Sequence, residues 1–241
     1  MSLDIVSDVV HSAPKLIVYG LAGSGKSTLA SKLENPLFFD FEGGLNALGV
    51  YRNKRVYKGK AGLEEFYKDL AEFYRGREKY KQFKTVVIDS IDWLMRCAVE
   101  QAAGIDKNNL KETLVRSNGG YGAGKQVLEN EVRTRLIPFL TSISELGITV
   151  CLVAHADVKH LMDAEGVSED RVAPKIDVNT MNAFVEWADE VFYLKKDSTG
   201  ARKIVVDSDM TALAKNRLGL SGEYDLSEHD INEILKIKKE K

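Results

Sequence analysis

The most specific chemical pattern in the chain lies near its N-terminus, where residues 20–27 read GLAGSGKS. This segment fits G-x-x-x-x-G-K-[ST], in which glycines let successive backbone N–H groups face the phosphates of a nucleotide. The sequence therefore predicts an ATP-binding phosphate loop. The predicted contacts with the nucleotide come from Gly20, Ala22, Gly23, Ser24, Gly25, Lys26, Ser27 and Thr28.

Three side chains are predicted to complete this site, and two of them hold a metal ion. Lys26 reaches the β- and γ-phosphates, and the Ser27 hydroxyl occupies a coordination position of Mg²⁺. Asp89 ends the apolar run TVVID, where a carboxylate holds Mg²⁺ through water. The alternative for Asp89 is a cap at the start of the next helix, a role that Ser90 or Asp92 fills equally well.

A carboxylate that aligns the attacking water must come from another strand, because Ser90 rather than Glu follows Asp89. The run LFFDFEGG offers Asp40 and Glu42. Residues i and i+2 of a strand face the same way, so facing does not separate them. Glu42 lies farther toward the loop and is the choice for catalysis. The alternative for Glu42 is a turn carboxylate before Gly43.

Short apolar runs alternate with helical segments and must position these residues. The predicted strands are 15–20, 37–41, 85–89, 148–154, 190–196 and 201–207. Apolar strands separated by helices predict an α/β fold, a mostly parallel sheet covered by helices on both faces. DSTG at 197–200 predicts a hairpin, and therefore an antiparallel edge at the C-terminal end of the sheet. The chain divides into an N-terminal extension, 1–14, and one domain, 15–241, with a short C-terminal tail.

Composition excludes several classes of protein. The 241 residues carry a net charge of −2 and contain only two cysteines, without CxxC spacing. A disulfide scaffold and a zinc ribbon are therefore not expected, and no apolar run is long enough to predict a membrane span. We expect a cytoplasmic protein. The region 51–84 is basic, with 11 Lys or Arg against five Asp or Glu. Its segment 63–83 is interpreted as a solvated crossover helix, with a patch for phosphate backbones as the alternative for the region.

The order of these features resembles that of RecA-like core ATPases, from residue 15 to about 219. The resemblance rests on Asp40-Phe41-Glu42, on Asp89-Ser90, on a Gly-rich segment at 116–124 before a long helix at 125–146, on His155 at a strand end, on the loop 156–179 and on Lys215-Asn216-Arg217. With its small size and with His155 at this position, the chain most resembles phage-encoded RecA-like proteins of the single-strand annealing type.

The resemblance implies roles that spacing alone does not give. His155 corresponds to a γ-phosphate sensor, and 116–124 and 156–179 correspond to DNA-binding loops, with Tyr121 placed to stack on a base. Lys215 and Arg217 correspond to residues by which one subunit touches its neighbour's ATP. It implies a Mg²⁺-dependent ATPase, a homo-oligomer or filament, and single-stranded DNA as partner. The alternatives without a catalytic role are a hydrogen-bonded histidine at the edge of the core for His155, and ordinary surface charges for Lys215 and Arg217.

Two other functions remain open at this point. A signalling or loader ATPase with a protein partner uses the same core and differs only in its loop contacts. A small-molecule kinase normally carries an Arg-rich lid, and the loop 156–179 contains a single Arg. ATPase activity with and without single-stranded DNA distinguishes these interpretations.

Overall fold

The computed structural model describes residues 13–104, 110–162, 166 and 168–236. Most of the predicted extension, 1–14, and the tail beyond Lys236 lie outside the described residues, so the predicted domain division stays a prediction. No helix in the described part of the chain is long and apolar enough to cross a membrane.

The helices and strands follow each other in near alternation, as the apolar pattern predicts. The strands are β1 (Lys15–Gly20), β2 (Pro36–Asp40), β3 (Tyr51–Val56), β4 (Thr85–Asp89), β5 (Thr149–Met162), β6 (Ser168–Pro174), β7 (Glu190–Lys196), β8 (Arg202–Val205) and β9 (Glu223–Asp225). The helices are α1 (Lys26–Ala30), α2 (Gly59–Arg75), α3 (Ile91–Ala103), α4 (Leu110–Arg116), α5 (Ala123–Glu131), α6 (Ile137–Glu145), α7 (Val178–Trp187) and α8 (Ile231–Lys236).

The described strands form one sheet in the order β3-β2-β4-β5-β1-β7-β8-β9, and β6 pairs with β5 outside this order. The pairs from β3 to β7 are parallel, whereas β7–β8 and β8–β9 are antiparallel. The predicted DSTG hairpin joins β7 to β8, and Asp197 Oδ1 accepts hydrogen bonds from the backbone of Thr199 and Ala201. The predicted α/β class, mostly parallel with an antiparallel C-terminal hairpin, is confirmed.

Alternate residues of the central strands build two cores, because successive side chains of a strand point to opposite faces. Along β1, Ile17 and Tyr19 join the larger core, which contains residues of α2, α3, α5, α6 and α7. Leu16 and Val18 join the smaller core with residues of α1 and α8. Burial on both faces explains why the central strands read as continuous apolar runs.

The basic region 51–84 holds a strand that the sequence analysis missed. β3 lies at the edge of the sheet and pairs with β2, while five of its six residues are exposed. The predicted helix is α2, whose apolar residues pack into the larger core. It ends at Arg75 with Gly76 as its cap, so the interpretation of residues up to 83 as helix is wrong beyond that point.

The expectation of a loop at 156–179 is also wrong. β5 continues past His155 to Met162 and pairs with β6 in an antiparallel ribbon, from Ala156 opposite Pro174 to Met162 opposite Ser168. β5 therefore has two parts, a buried half within the main sheet and a partly exposed half in this ribbon. α7 follows, and the carboxylate of Asp177 caps its first turn.

The predicted long helix at 125–146 begins earlier and contains a π-helical turn. α5 begins at Ala123, residues Val132–Leu136 are π-helical, and α6 continues to Glu145. The turn closes with Ile137 N donating to Val132 O, directly before Pro138. Because Pro138 has no N–H, the normal bond to Thr134 O is missing, and the wider turn adapts the helix to that loss.

Candidate active site

The carboxyl ends of β1, β2 and β4, and the point where β5 leaves the main sheet, bring most of the predicted site residues to one edge of the sheet. Gly20 on β1 lies opposite His155 on β5, and Asp40 on β2 lies opposite Asp89 on β4. Asp89 in turn lies opposite Val153, two residues before His155. In open α/β sheets ligands bind at this edge of the strands, so the register itself assembles a site.

The phosphate loop leaves β1 at Gly20 and enters α1 at Lys26. A Cβ atom at Gly20 would lie only 2.3 Å from Leu194 O of β7, so no other residue fits there. Gly25 has φ of +101°, which L side chains rarely adopt. The Ser24 hydroxyl is buried and has no hydrogen-bond partner among the described residues. An orphaned hydroxyl inside this loop fits a site whose phosphate oxygens supply the missing acceptor.

Lys26 is nearly buried within the loop. Its Nζ donates to the carbonyls of Gly20 and Leu21, both at 3.0 Å. Burial lowers the pKa of Lys26, and the nearby Asp89 opposes that shift. These carbonyls hold the ammonium group beside the loop that it is predicted to serve. Ala22, Gly23 and Thr28 are exposed around it.

The predicted metal ligands are in direct contact. Ser27 Oγ donates to Asp89 Oδ2 at 2.6 Å. Burial raises the pKa of Asp89 to about 6, against the stabilising hydrogen bond from Ser27. A buried carboxylate beside a hydroxyl is an all-oxygen donor set, which suits Mg²⁺. The described residues contain no cluster of three His, Cys, Asp or Glu that could hold an ion alone, so phosphates and water would supply its other ligands.

Asp40 and Glu42 have different surroundings. Asp40 is 3% exposed, and its Oδ1 accepts the backbone N–H groups of Glu42 at 3.0 Å and Gly43 at 2.6 Å. Glu42 has a side chain that is 38% exposed, and its Oε1 lies 3.8 Å from His155 Nε2. Asp40 therefore holds the turn after β2, and Glu42 is open to a ligand. This geometry favours Glu42 as the water-positioning carboxylate.

His155 lies between two carboxylates, one of which the sequence analysis considered only as a helix cap. Asp92 Oδ2 lies 3.0 Å from His155 Nδ1, and Asp92 Oδ1 accepts the backbone N–H of His155 at 3.0 Å. The bond to Asp92 raises the pKa of His155, although burial acts against it. Burial alone would raise the pKa of Asp92, but the hydrogen bonds from His155 outweigh it and lower it. Asp92 thus orients the ring, with Nε2 toward Glu42.

Lys215 and Arg217 lie near the opposite edge of the sheet. Lys215 forms a bridge to Val191, which is opposite Ile17 near the start of β1. Lys215 Nζ donates to the carbonyls of Val185, Glu186 and Ala188 at the C-terminal end of α7. Arg217 donates to Asp189 at 3.0 Å, and its side chain is 55% exposed. Neither reaches the phosphate loop of its own chain, and their predicted action on a neighbour stays a prediction.

The Gly-rich segment forms a tight turn between α4 and α5. Asn118 and Tyr121 have positive φ, and Asn118 Nδ2 donates to Ala102 O at 2.8 Å. The Tyr121 side chain is fully exposed at 107%. The turn therefore presents one aromatic ring to solvent, as stacking on a base requires.

Arg202, the first residue of β8, is a further residue at the site that the sequence analysis missed. Its Nε donates to the carbonyl of Ser24 in the phosphate loop at 3.1 Å. Its side chain lies against Gly25, where a Cβ atom would be 2.7 Å from Nε. Only the register of the hairpin brings it there, because the two residues are 178 positions apart.

Comparison with known proteins agrees with this geometry. A family model described as AAA domain (AAA_24) matches residues 12–218, a range that contains every predicted site residue. The chain is similar to "SPbeta prophage-derived uncharacterized protein YorG" of Bacillus subtilis (strain 168), with 24% identity over 216 residues. That similarity covers 86% of this chain and 60% of the relative, so the chain spans less than two thirds of the relative's length.

Proposed function

The chain belongs to the AAA domain family whose model spans residues 12–218, and from that premise we propose that it binds ATP with Mg²⁺ and hydrolyses it to ADP and phosphate. The observation that carries this proposal is the contact of Ser27 Oγ with Asp89 Oδ2 at 2.6 Å, beside the buried side chain of Lys26. A hydroxyl, a carboxylate and a lysine around a glycine-rich loop are the parts that phosphoryl transfer requires.

Each residue of this edge then has a task in binding. The backbone N–H groups of the loop hold the β-phosphate, and Lys26 exchanges its carbonyl partners for the β- and γ-phosphates. Ser27 and Asp89 hold the metal side of the nucleotide. Mg²⁺, when bound there, supplies positive charge that neutralises the phosphate oxygens.

The chemical step requires a water molecule in line with the γ-phosphate. Glu42 is open to solvent at the edge of the sheet and would orient that water through its carboxylate. His155 lies 3.8 Å from Glu42 and is held by Asp92, so its Nε2 is available to the γ-phosphate. Glu42 follows β2 and His155 lies within β5, the two strands that flank β4, so both lie on the Asp89 side of the phosphate loop.

The test of this proposal replaces Lys26. Lys26→Ala removes the charge that spans the β- and γ-phosphates, so ATP hydrolysis should be abolished and ATP binding weakened. Lys32→Ala, six residues farther along the chain, is the matched control and should keep wild-type turnover. Hydrolysis at the wild-type rate by purified Lys26→Ala protein would refute the assignment of the phosphate loop.

We further propose that the activity is of RecA type and acts on single-stranded DNA in phage-type recombination or repair. The exposed Tyr121 ring on its tight turn supports this, as does similarity to a protein named as prophage-derived. Single-stranded DNA should stimulate ATP hydrolysis, and stimulation should fall as salt rises because phosphate contacts release counterions. Tyr121→Ala should reduce the stimulation, whereas Tyr51→Ala, another exposed tyrosine, should not.

The absence of any DNA effect at low salt would favour a different partner. The same core would then act as a signalling or loader ATPase on a protein. Transfer of the γ-phosphate to an added small molecule, rather than to water, would favour the kinase. ATP hydrolysis that DNA does not stimulate would thus contradict the proposed partner and leave the proposed hydrolysis standing.

A further inference from the structure

We propose that Arg202 binds the base or ribose of the nucleotide. The β7–β8 hairpin would then be the part of the site that binds ATP more tightly than a triphosphate without a nucleoside. This inference rests on the proposed nucleotide site, which assigns no residue to the base or ribose. Arg202 would act on the ATP of its own chain, whereas Lys215 and Arg217 are predicted to act on that of a neighbouring subunit.

The position of Arg202 in the sheet defines its side of the site. Arg202 pairs with Lys196 at the end of β7, and Leu194 of β7 lies opposite Gly20, where the phosphate loop begins. The start of β8 is therefore at the same edge of the sheet as the loop, two strands away from β1. The close approach to Ser24 and Gly25 confirms this placement.

The direction of the bound nucleotide follows from the residues on the other side of β1. Glu42 follows β2, Asp89 ends β4 and His155 lies within β5. These three strands all lie to one side of β1. These residues are suited to the γ-phosphate and metal, so the γ-phosphate lies on that side. The triphosphate crosses the loop, and the nucleoside must leave it on the side of β7 and β8. Arg202 is the described cation that contacts the loop from this side.

The Arg202 guanidinium group has N–H donors that the described residues do not engage. Only Nε of Arg202 is engaged, by the Ser24 carbonyl, and the two terminal nitrogens have no hydrogen-bond partner within the described residues. A guanidinium plane held at one nitrogen can stack on a purine ring or donate to ribose oxygens. The Ser24 contact fixes the side chain at the loop before any ligand binds, which reduces the entropy lost on binding.

A simpler role for Arg202 is to brace the loop through Ser24. A brace shapes the cradle for phosphates, so its loss would weaken every ligand that carries a triphosphate. A nucleoside contact affects only ligands that carry a base and ribose. Mg²⁺-tripolyphosphate therefore separates the two roles, because it fills the phosphate loop and lacks a nucleoside.

The experiment measures the dissociation constants of Mg²⁺-ATP and Mg²⁺-tripolyphosphate by calorimetry for the wild type and three variants. Arg202→Ala should weaken ATP binding about tenfold, the size of one cation–π or charged hydrogen-bond contact. Its affinity for tripolyphosphate should stay within about twofold of wild type. Arg202→Met keeps aliphatic packing on Gly25 without donors and should behave like Arg202→Ala. Lys203→Ala, whose residue pairs with Asp197 at 3.1 Å, is the control and should change neither constant.

The outcomes that would overturn the inference are distinct. Equal weakening of ATP and tripolyphosphate in Arg202→Ala would show a brace of the loop. Wild-type ATP affinity in Arg202→Ala or in Arg202→Met would show that its donors do not bind the nucleotide. If the wild-type protein bound neither ligand, the proposed nucleotide site itself would fail, a result that no Arg202 variant could produce.

Discussion

Two carboxylates only two residues apart have different surroundings at this site. Asp40 uses its oxygen to hold the backbone of the turn, whereas Glu42 extends toward His155 and solvent. Asp40 Oδ1 already accepts two backbone N–H groups and the side chain is buried, so this carboxylate is poorly placed to orient water. Exchange of each for its amide therefore tests different properties of the protein.

Glu42→Gln should lower kcat about 100-fold or more while ATP affinity stays within a few fold of wild type. The amide keeps the size of the side chain but cannot polarise water as a carboxylate does. Asp40→Asn should leave kcat near wild type and lower the free energy of unfolding by about 1–2 kcal/mol, since it weakens two bonds to backbone N–H groups. The measurements are steady-state hydrolysis and urea unfolding. A large kcat loss in Asp40→Asn alone would show that the choice of Glu42 is wrong.

The contact of Asp92 with His155 should make stability depend on pH. Because the contact raises the pKa of His155 in the folded state, its stabilisation is complete below about pH 6.5, the ordinary histidine pKa. It is lost as pH rises through the higher folded pKa. Asp92→Asn keeps an acceptor for the backbone N–H of His155 but removes the charge. The variant should lose about 1 kcal/mol more stability at pH 6 than at pH 9, measured by urea unfolding.

His155→Gln provides the control for this pH dependence, since it removes the titrating group itself. In His155→Gln, Asp92→Asn should cost the same at both pH values. An equal loss at both pH values in the protein that retains His155 would contradict the assignment of the pair.

The residues of the phosphate loop could be predicted from sequence because their spacing is fixed within one turn of chain. The position of Asp89 could be predicted too, since a carboxylate at the end of an apolar strand after a phosphate loop is recognisable from the local sequence. Asp92 and Arg202 could not. Their partners are 63 and 178 residues away, and only strand register brings such positions together.

At the level of elements, Lys215 stabilises the end of α7. The ammonium group meets three carbonyls at a helix C-terminus, where positive charge is favourable. Lys215→Ala should therefore lower the free energy of unfolding by about 1–3 kcal/mol. Arg217→Ala removes an exposed ion pair with Asp189 and should cost less than about 1 kcal/mol. Thermal unfolding of both variants tests this, and equal effects would contradict the capping role.

The sequence predicted buried elements better than exposed ones. β1, β4 and β7 have the predicted bounds, because burial on both faces produces an apolar run. β3 and β6 have no such run, since most of their residues are exposed or half-buried. Their strands are fixed by hydrogen bonds to β2 and β5, a property of pairing partners that composition does not reveal.

At the level of the whole molecule, the separation of Lys215 and Arg217 from the phosphate loop has a testable consequence. Val191, which pairs with Lys215, is opposite Ile17, about 10 Å along β1 from Gly20. If these cations act on ATP, they act on that of another subunit. Activity per subunit should then rise with protein concentration.

Mixed subunits make this prediction specific. Arg217→Ala keeps an intact phosphate loop, and Lys26→Ala keeps Arg217, so each should be nearly inactive alone. Their mixture should regain part of the hydrolysis rate, because some interfaces then contain both functional halves. Full activity of Arg217→Ala alone, independent of concentration, would identify a monomeric enzyme.

The continuity of β5 through His155 gives the molecule a mechanical property. A single extended strand runs from the buried sheet to Met162, roughly 23 Å beyond His155 at the usual rise per residue. Paired with β6, it forms a two-stranded ribbon that begins at the side of the site proposed for the γ-phosphate. Backbone bonds from Val172 to Thr211 and Leu213 hold this ribbon at the level of Val158. Beyond Val158 the ribbon extends about 13 Å to Met162, so a rotation of about 5° there would move Met162 by about 1 Å. If ATP is hydrolysed as proposed, loss of the phosphate beside His155 would in this way displace the exposed end of the ribbon.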